Sequence, residues 1–190
     1  MTLTIDLLHK LLNDFGVQTK EWGMGEAKKV DDLLKEILEG ESYIRIDENG
    51  LVRIVEIVKM FIYDALYLDR GRLLESGQYL PDGRHRQRNQ EPSGKVKRGE
   101  SPEEALVREM DEELGLKRFE LNELLAMPSK SEDRASKSYP GLSCLYIVHG
   151  FKMVVASGCD ICYKDEFKRK EADLTNVFKW EHPGKRSRKS

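Results

Sequence analysis

The sequence predicts an α/β fold: two amphipathic helices open the chain, a succession of β-rich runs follows, and one short acidic helix is set among those runs. In residues 3–14, Leu3, Ile5, Leu7, Leu8, Leu11 and Leu12 fall close to helical spacing, and Gly16 breaks the pattern. A second helix is expected from Glu26 to Leu38, with Val30, Leu33, Leu34, Ile37 and Leu38 on one side and Gly40 beyond its end. Tyr43 to Ile46 reads as a strand, and Asp47-Glu48-Asn49-Gly50 as the turn that reverses it. The run Val52 to Tyr63, dominated by Val, Ile and Phe, is the longest strand. A further strand is expected from Leu66 to Leu74, and Pro81-Asp82-Gly83 is the next turn. Beyond the acidic helix, strands are expected over Phe119 to Met127, Cys144 to Val155 and Val177 to Trp180, with Pro128 to Gly141 a polar loop. The organisation expected is a helical extension over 1–40, a main domain over 41–183 and a basic, disordered tail from Gly184 to Ser190.

Composition narrows the class. No apolar stretch approaches the roughly 20 residues that span a bilayer, and no signal-peptide pattern opens the chain, so no membrane partner is expected. Cys144, Cys159 and Cys162 form no disulfide framework, which points to a reducing, cytoplasmic setting. Cys159 and Cys162 have a zinc-like spacing but lack a second clear pair of ligands. The net charge is only −2, but its distribution is uneven. Arg84 to Arg98 holds six Lys or Arg against one acid, and Gly99 to Leu116 holds seven acids against one Arg. Adjacent blocks of opposite sign suit a polyanion and a cation in one place; the plain alternative is solvated surface charge.

Residues 101–116, SPEEALVREMDEELGL, carry the chemistry. Ser101 is a helix N-cap, Pro102 fits the first helical position, Glu104 completes a capping box, and Gly115 stands where the chain needs a left-handed residue. With about 100° between successive α-helical residues, Glu109, Glu112 and Glu113 share an arc of roughly 100°. Leu106, Val107, Met110 and Leu114 form a separate apolar face, and Glu104 and Asp111 point to solvent. Like charges at these spacings cost an isolated helix a few tenths of a kcal/mol per pair. A divalent cation would offset that cost, and hard cations take carboxylate oxygens, water and substrate phosphate. A solvated acidic face is the alternative reading of those residues by themselves.

The stretch Gly94 to Leu116 resembles the Nudix box, Gly-x5-Glu-x7-Arg-Glu-U-x-Glu-Glu-x-Gly-U, at all nine constrained positions, with Met110 and Leu116 as the bulky aliphatics. The resemblance implies an α/β/α sandwich with a mixed sheet, in which the box forms a loop, a helix and a second loop. It implies that Glu109, Glu112 and Glu113 ligate Mg2+ or Mn2+ and that Arg108 orients a glutamate of the cluster. Glu100 is expected to brace the loop or reach a metal through water. Where many family members have a second glycine, whose carbonyl binds the cation, this chain has Ser93; a carbonyl needs no particular side chain. The implied activity is hydrolysis of a diphosphate linkage in a nucleoside diphosphate joined to another moiety. Its proton acceptor is either Glu109 or a carboxylate from a later segment, for which Glu166 and Glu171 are the candidates. A binding module of the same fold would have lost box glutamates, and none is missing.

Substrate choice is less marked. On a strand, Arg84, Arg86 and Arg88 would share a face and either grip phosphates, of a nucleotide or of an RNA end, or keep an edge strand soluble. Tyr139 either stacks on a base or is a surface aromatic, and Trp180 reads as core. Within the resemblance, a proline at 131 or a tyrosine at 133 would mark particular substrates; those positions hold Ser131 and Asp133. The N-terminal helices either form a homodimer contact or cover one side of the sheet.

Overall fold

The computed structural model describes residues 3–48, 50–67, 70–171 and 174–181. The tail from Gly184 lies outside them. The chain divides into two compact units, Met1–Ile57 with Lys95–Ser101 and Ser129–Val148, and Val58–Gly94 with Pro102–Pro128 and His149–Ser190. Two long strands, β2 (Gly50–Asp64) and β8 (Ser143–Val155), begin in the first unit and end in the second. They are neighbours in a six-stranded sheet whose path is β1-β2-β8-β6, with β5 on β2 and β7 on β8. Here β1 is Tyr43–Asp47, β5 Ser93–Lys95, β6 Leu121–Ala126 and β7 Lys130–Ala135. The Ala65 amide donates to Val155 O at 3.3 Å, joining the C-terminal ends of β2 and β8. That pair therefore runs parallel, while β1, β6 and β7 pair antiparallel, and the sheet is mixed. β2 is buried at every position from Leu51 to Val55, as a strand covered on both faces requires, and at alternate positions from Val58 to Asp64.

In the first unit, helices α1 (Ile5–Asp14) and α2 (Val30–Leu38) bury Leu8, Leu12, Val30 and Leu33 against Trp22, Leu51, Tyr139 and Leu142. α2 starts at Val30, later than Glu26, because the Asp32 carboxylate accepts the Lys29 amide at 2.8 Å and sets the first turn there. On the polar side of α2, buried Glu36 meets Arg53 at 2.5 Å, Lys28 at 2.7 Å and Lys95 at 3.3 Å. Burial alone would raise the Glu36 pKa. The charges of Lys95, Arg53 and Lys28 outweigh it and hold the carboxyl at about 2.

The second unit contains a four-stranded sheet, β4-β3-β10-β9, of β3 (Leu73–Tyr79), β4 (His85–Gln90), β9 (Glu166–Glu171) and β10 (Leu174–Trp180). Pro81-Asp82-Gly83 makes the β3–β4 turn, with the Gly83 amide on Leu80 O at 2.9 Å. Of the strand expected over Leu66 to Leu74, Leu73 and Leu74 are the part that lies in a named strand among the described residues. Asp64 accepts the Leu66 amide at 2.9 Å and turns the chain, leaving Leu66 and Tyr67 exposed, and pairing resumes at β3. Trp180 is core, its indole N–H on Ile161 O at 3.3 Å and the Arg70 guanidinium 5.0 Å from its ring. Strands β5, β7 and β9 were not expected. β7 lies inside the segment read as a polar loop and is exposed at every position, so it carries no apolar alternation. β9, EFKRKE, is a charge run with a single buried aromatic, Phe167. Among the described residues, no helix is long and apolar enough to cross a membrane.

Candidate active site

The acidic helix α3 covers Pro102–Glu109, one turn shorter than a continuous α-helix to Gly115 would be. Met110–Leu114 continue it as a π-helical turn, which Gly115 ends in the left-handed conformation at φ 68°. The wider turn shows at the exit: the Gly115 amide bonds Asp111 O and the Leu116 amide bonds Met110 O, both at 3.0 Å. Each reaches one residue further back than in a Schellman closure. The even 100° spacing assumed for the three glutamates therefore holds only as far as Glu109. The apolar face shifts too. Ala105, Leu106, Met110 and Leu114 are fully buried, whereas Val107 is 43% exposed.

Glu109 is buried at the junction of the α and π segments, 7% exposed. It fits there because residue 94 is glycine: a Cβ at Gly94 would lie 1.9 Å from Glu109 Cδ and 2.3 Å from Oε2. Arg108 Nη1 donates to Glu109 Oε1 at 2.6 Å and to Glu112 Oε2 at 3.1 Å, so one cationic nitrogen holds two carboxylates. Glu112 is about half exposed and Glu113 half-buried. At the far end, Arg169 of β9 donates through Nη2 to Leu114 O at 3.0 Å. A Cβ at Gly115 would fall 2.2 Å from that nitrogen. The guanidinium thus sits on the carbonyl end of the helix, where a cation is favoured. Sequence reading missed Arg169. It lies in a charge run, and no local pattern links it to a helix 55 residues earlier.

All the side-chain donors at this place are carboxylates, the chemistry a hard divalent cation takes. Two of them already converge on one positive nitrogen. Among the described residues no three His, Cys, Asp or Glu side chains gather closely enough to form a metal cluster. Ser93 is half-buried on β5, with the Met60 amide on the carbonyl of the preceding Pro92 at 2.9 Å. Glu100, in the first unit, accepts the Lys97 amide at 2.9 Å and so braces the loop ahead of α3.

The remaining candidates scatter. Glu166 is exposed at the start of β9, and the Glu171 side chain lies outside the described residues. Arg84 sits in the turn and pairs with Asp82 at 2.7 Å, off the strand that carries Arg86 and Arg88. Those two turn towards β3. Both donate to Gln78 Oε1, and Arg88 Nε lies 3.1 Å from buried Glu75. Burial raises the Glu75 pKa, with Arg88 opposing it. Arg86 and Arg88 are thus spent on an internal polar cluster, which removes the open cationic row. Tyr139 is not a surface aromatic. It is fully buried, its ring against Trp22 at 5.0 Å and beneath the Arg53 guanidinium at 5.0 Å, so its faces are covered. Cys144, Cys159 and Cys162 are free and buried, and burial pushes Cys159 up and Cys162 up to about 12. The Cys159 and Cys162 thiols are thereby disfavoured as thiolate metal ligands.

Comparison with known proteins adds a family. The model of the NUDIX domain matches residues 66–183. No curated protein matches the chain. Among solved structures it is similar to a binary complex of the Caenorhabditis elegans Ap4A hydrolase, at 18% identity and a TM-score of 0.43, over 66% of this chain and 78% of that one. It is also similar to MutT, described for Aliivibrio salmonicida and Vibrio cholerae, at 24% identity and a TM-score of 0.29, over 52% of this chain and 65% of that one. A Deinococcus radiodurans protein matches at 22% identity and a TM-score of 0.32, over 52% and 55% of the two chains.

Proposed function

The chain belongs to the Nudix family, and on that premise we propose that it is a metal-dependent hydrolase of a diphosphate linkage. The substrate class is a nucleoside diphosphate joined to another moiety, and a mononucleotide or other phosphorylated product is released. The observation that carries this reading is the pair of carboxylates, buried Glu109 and Glu112, held on Arg108 Nη1 at 2.6 and 3.1 Å.

Glu109, Glu112 and Glu113 would hold Mg2+ or Mn2+, with the Ser93 carbonyl as a further oxygen. When bound, such an ion supplies positive charge to the phosphate oxygens and acidifies a water. The chain's own residues do the rest. Arg108 keeps Glu109 and Glu112 aimed at one point by charge-assisted hydrogen bonds. Gly94 leaves the space that the Glu109 carboxylate fills, and Arg169 fixes the end of the π turn that carries Glu112 and Glu113. Of the proton acceptors whose side chains are described, Glu109 is the one set in this cluster, whereas Glu166 is exposed on β9. The Glu109 carboxylate receives the proton as the water oxygen bonds to phosphorus and the bridging P–O bond breaks. That proton then passes to the departing phosphate. The three free thiols fit a reducing, cytoplasmic setting.

A panel of nucleotides with Mg2+ or Mn2+, assayed for mononucleotide release, tests the proposal. Glu112→Gln and Glu113→Gln should each lower kcat by about 10²-fold or more, the scale for losing a charge-stabilising group. Full activity in both variants would remove the metal-site assignment. Nucleotide binding without any product would make the chain a sensor.

A further inference from the structure

The four-stranded sheet of the second unit has two unlike faces. Its register sets Arg86, Gln78, Asn176 and Arg169 side by side across β4, β3, β10 and β9. This face is turned to the acidic helix, where Arg169 meets Leu114 O. Side chains alternate along a strand, so the residues between these point the other way. On that opposite face, His85, Tyr79, Thr175 and Lys170 form one cross-strand row, and Gln87, Gly77, Val177 and Lys168 the next. Lys179 follows, opposite Glu166, the one acid in these rows. Tyr79, His85, Gln87, Lys168, Lys170 and Lys179 are exposed, and Gly77 and Val177 are buried in the floor between them. Among the described residues none of the three lysines forms an ion pair. The rings lie together. His85 crosses Gly77, where an added Cβ would collide with its Nε2, and its ring centroid is 4.8 Å from that of Tyr79. Lys168 Nζ rests 4.7 Å from the centre of the Tyr79 ring.

We propose that this face binds single-stranded RNA, on the side of the sheet turned away from the acidic helix. Single strands are held by bases stacked on aromatic side chains and by cations on their phosphates, and a sheet face carrying both is a surface of that kind. Tyr79 and His85 take the bases, and Lys168, Lys170 and Lys179 take the phosphates. Gln87 and Thr175, in the same rows, carry donors and acceptors of the sort that a ribose 2′-hydroxyl uses. An exposed cation–π contact is weaker than base stacking, so an arriving base displaces the Lys168 ammonium from the Tyr79 ring to a phosphate. An acidic peptide would engage the lysines but leave the ring pair idle, and RNA uses both. The sequence beyond Glu181 adds Lys185, Arg186, Arg188 and Lys189, so the test has to separate these from the sheet. RNA binding here is independent of the proposed reaction and stands whether or not the chain cuts a diphosphate.

The test is fluorescence anisotropy of the full chain with short labelled oligouridylate and oligoadenylate over a series of salt concentrations. EDTA is present, so that the proposed hydrolysis cannot consume the probe. Saturable binding is expected, and Tyr79→Ala should weaken it about fivefold or more, the scale of one lost base stack. Changing Lys168, Lys170 and Lys179 together to alanine should lower the slope of log affinity against log salt by about 2, at about 0.7 for each phosphate contact of a single strand. These side chains are exposed, and a thermal melt checks that each variant is folded. Lys170→Glu gives a further variant should the triple change be unstable, and it too should weaken binding. Wild-type affinity and salt slope in the sheet variants would overturn the proposal. So would binding that is lost only on removing residues 184–190, which places the RNA on the tail. Displacement of the RNA by inorganic polyphosphate, with Tyr79→Ala without effect, would reduce the face to charge alone and reject it. Tighter binding of DNA than of RNA of the same sequence would reject RNA as the occupant.

Discussion

Replacing Gly94 by alanine adds one methyl group at the tightest approach around the acidic helix. The new Cβ would sit 1.9 Å from Glu109 Cδ and 2.3 Å from both Cγ and Oε2. Carbon atoms do not approach closer than about 3.5 Å without repulsion, so the carboxylate has to leave its place. Overpacking of this kind costs about 1–3 kcal/mol. The displaced carboxylate also gives up the 2.6 Å bond from Arg108, and a hydrogen bond to a charged group contributes about 1.5–3 kcal/mol. Together these give a loss of about 2.5–6 kcal/mol, less whatever relaxation recovers. Urea unfolding reads the stability loss, and kcat with the best substrate of the panel should fall by about 10²-fold or more, because Glu109 is no longer aimed. Gly83→Ala is the control. Its φ of 82° makes alanine strained there, by about 1–2 kcal/mol, but nothing lies within 4 Å of the added Cβ and activity should be unchanged. Wild-type urea midpoint and kcat in Gly94→Ala would refute the reasoning, since no carboxylate could then be packed against that glycine.

Arg169→Ala should lower stability by about 1 kcal/mol through loss of the cation at the helix end. It should also reduce kcat more than it raises KM, as steady-state kinetics beside a thermal melt would show; unchanged kcat would make Arg169 purely structural. Glu36 titrates near 4.5 when unfolded and about 2 when folded, so its contribution is complete above pH 4.5 and is lost as pH falls towards 2. Glu36→Gln should therefore cost about 3–5 kcal/mol at neutral pH, by leaving Arg53 buried without its partner. It should also flatten the stability profile between pH 4.5 and 2; an unaltered acid limb would show that the pair does not form. Tyr139→Ala should cost about 3–5 kcal/mol as a core cavity and leave KM for nucleotides unchanged, whereas a raised KM with intact stability would return Tyr139 to a surface role.

Much of this molecule is written in short-range patterns. The spacing Gly94 to Leu116, the left-handed stop at Gly115, the Pro81-Asp82-Gly83 turn and the Val- and Ile-rich run of β2 depend on residues within a few positions of one another, and propensity and periodicity act over that range. The hold of Arg108 on Glu109 and Glu112 spans four residues, and the resemblance of the Gly94 to Leu116 stretch implied that Arg108 orients a glutamate. Other features only the tertiary structure decided. A π turn has the same composition as an α turn, so the departure after Glu109 has no local signature. Arg169 reaches Leu114 across 55 residues, and Tyr139 is drawn into the core by Trp22 and Arg53, each far away in sequence. β7 is a strand through its pairing with β8, although its own residues carry no alternation. Contacts of that kind depend on which surfaces the packed chain brings together, and a single sequence read along its length contains no term for them.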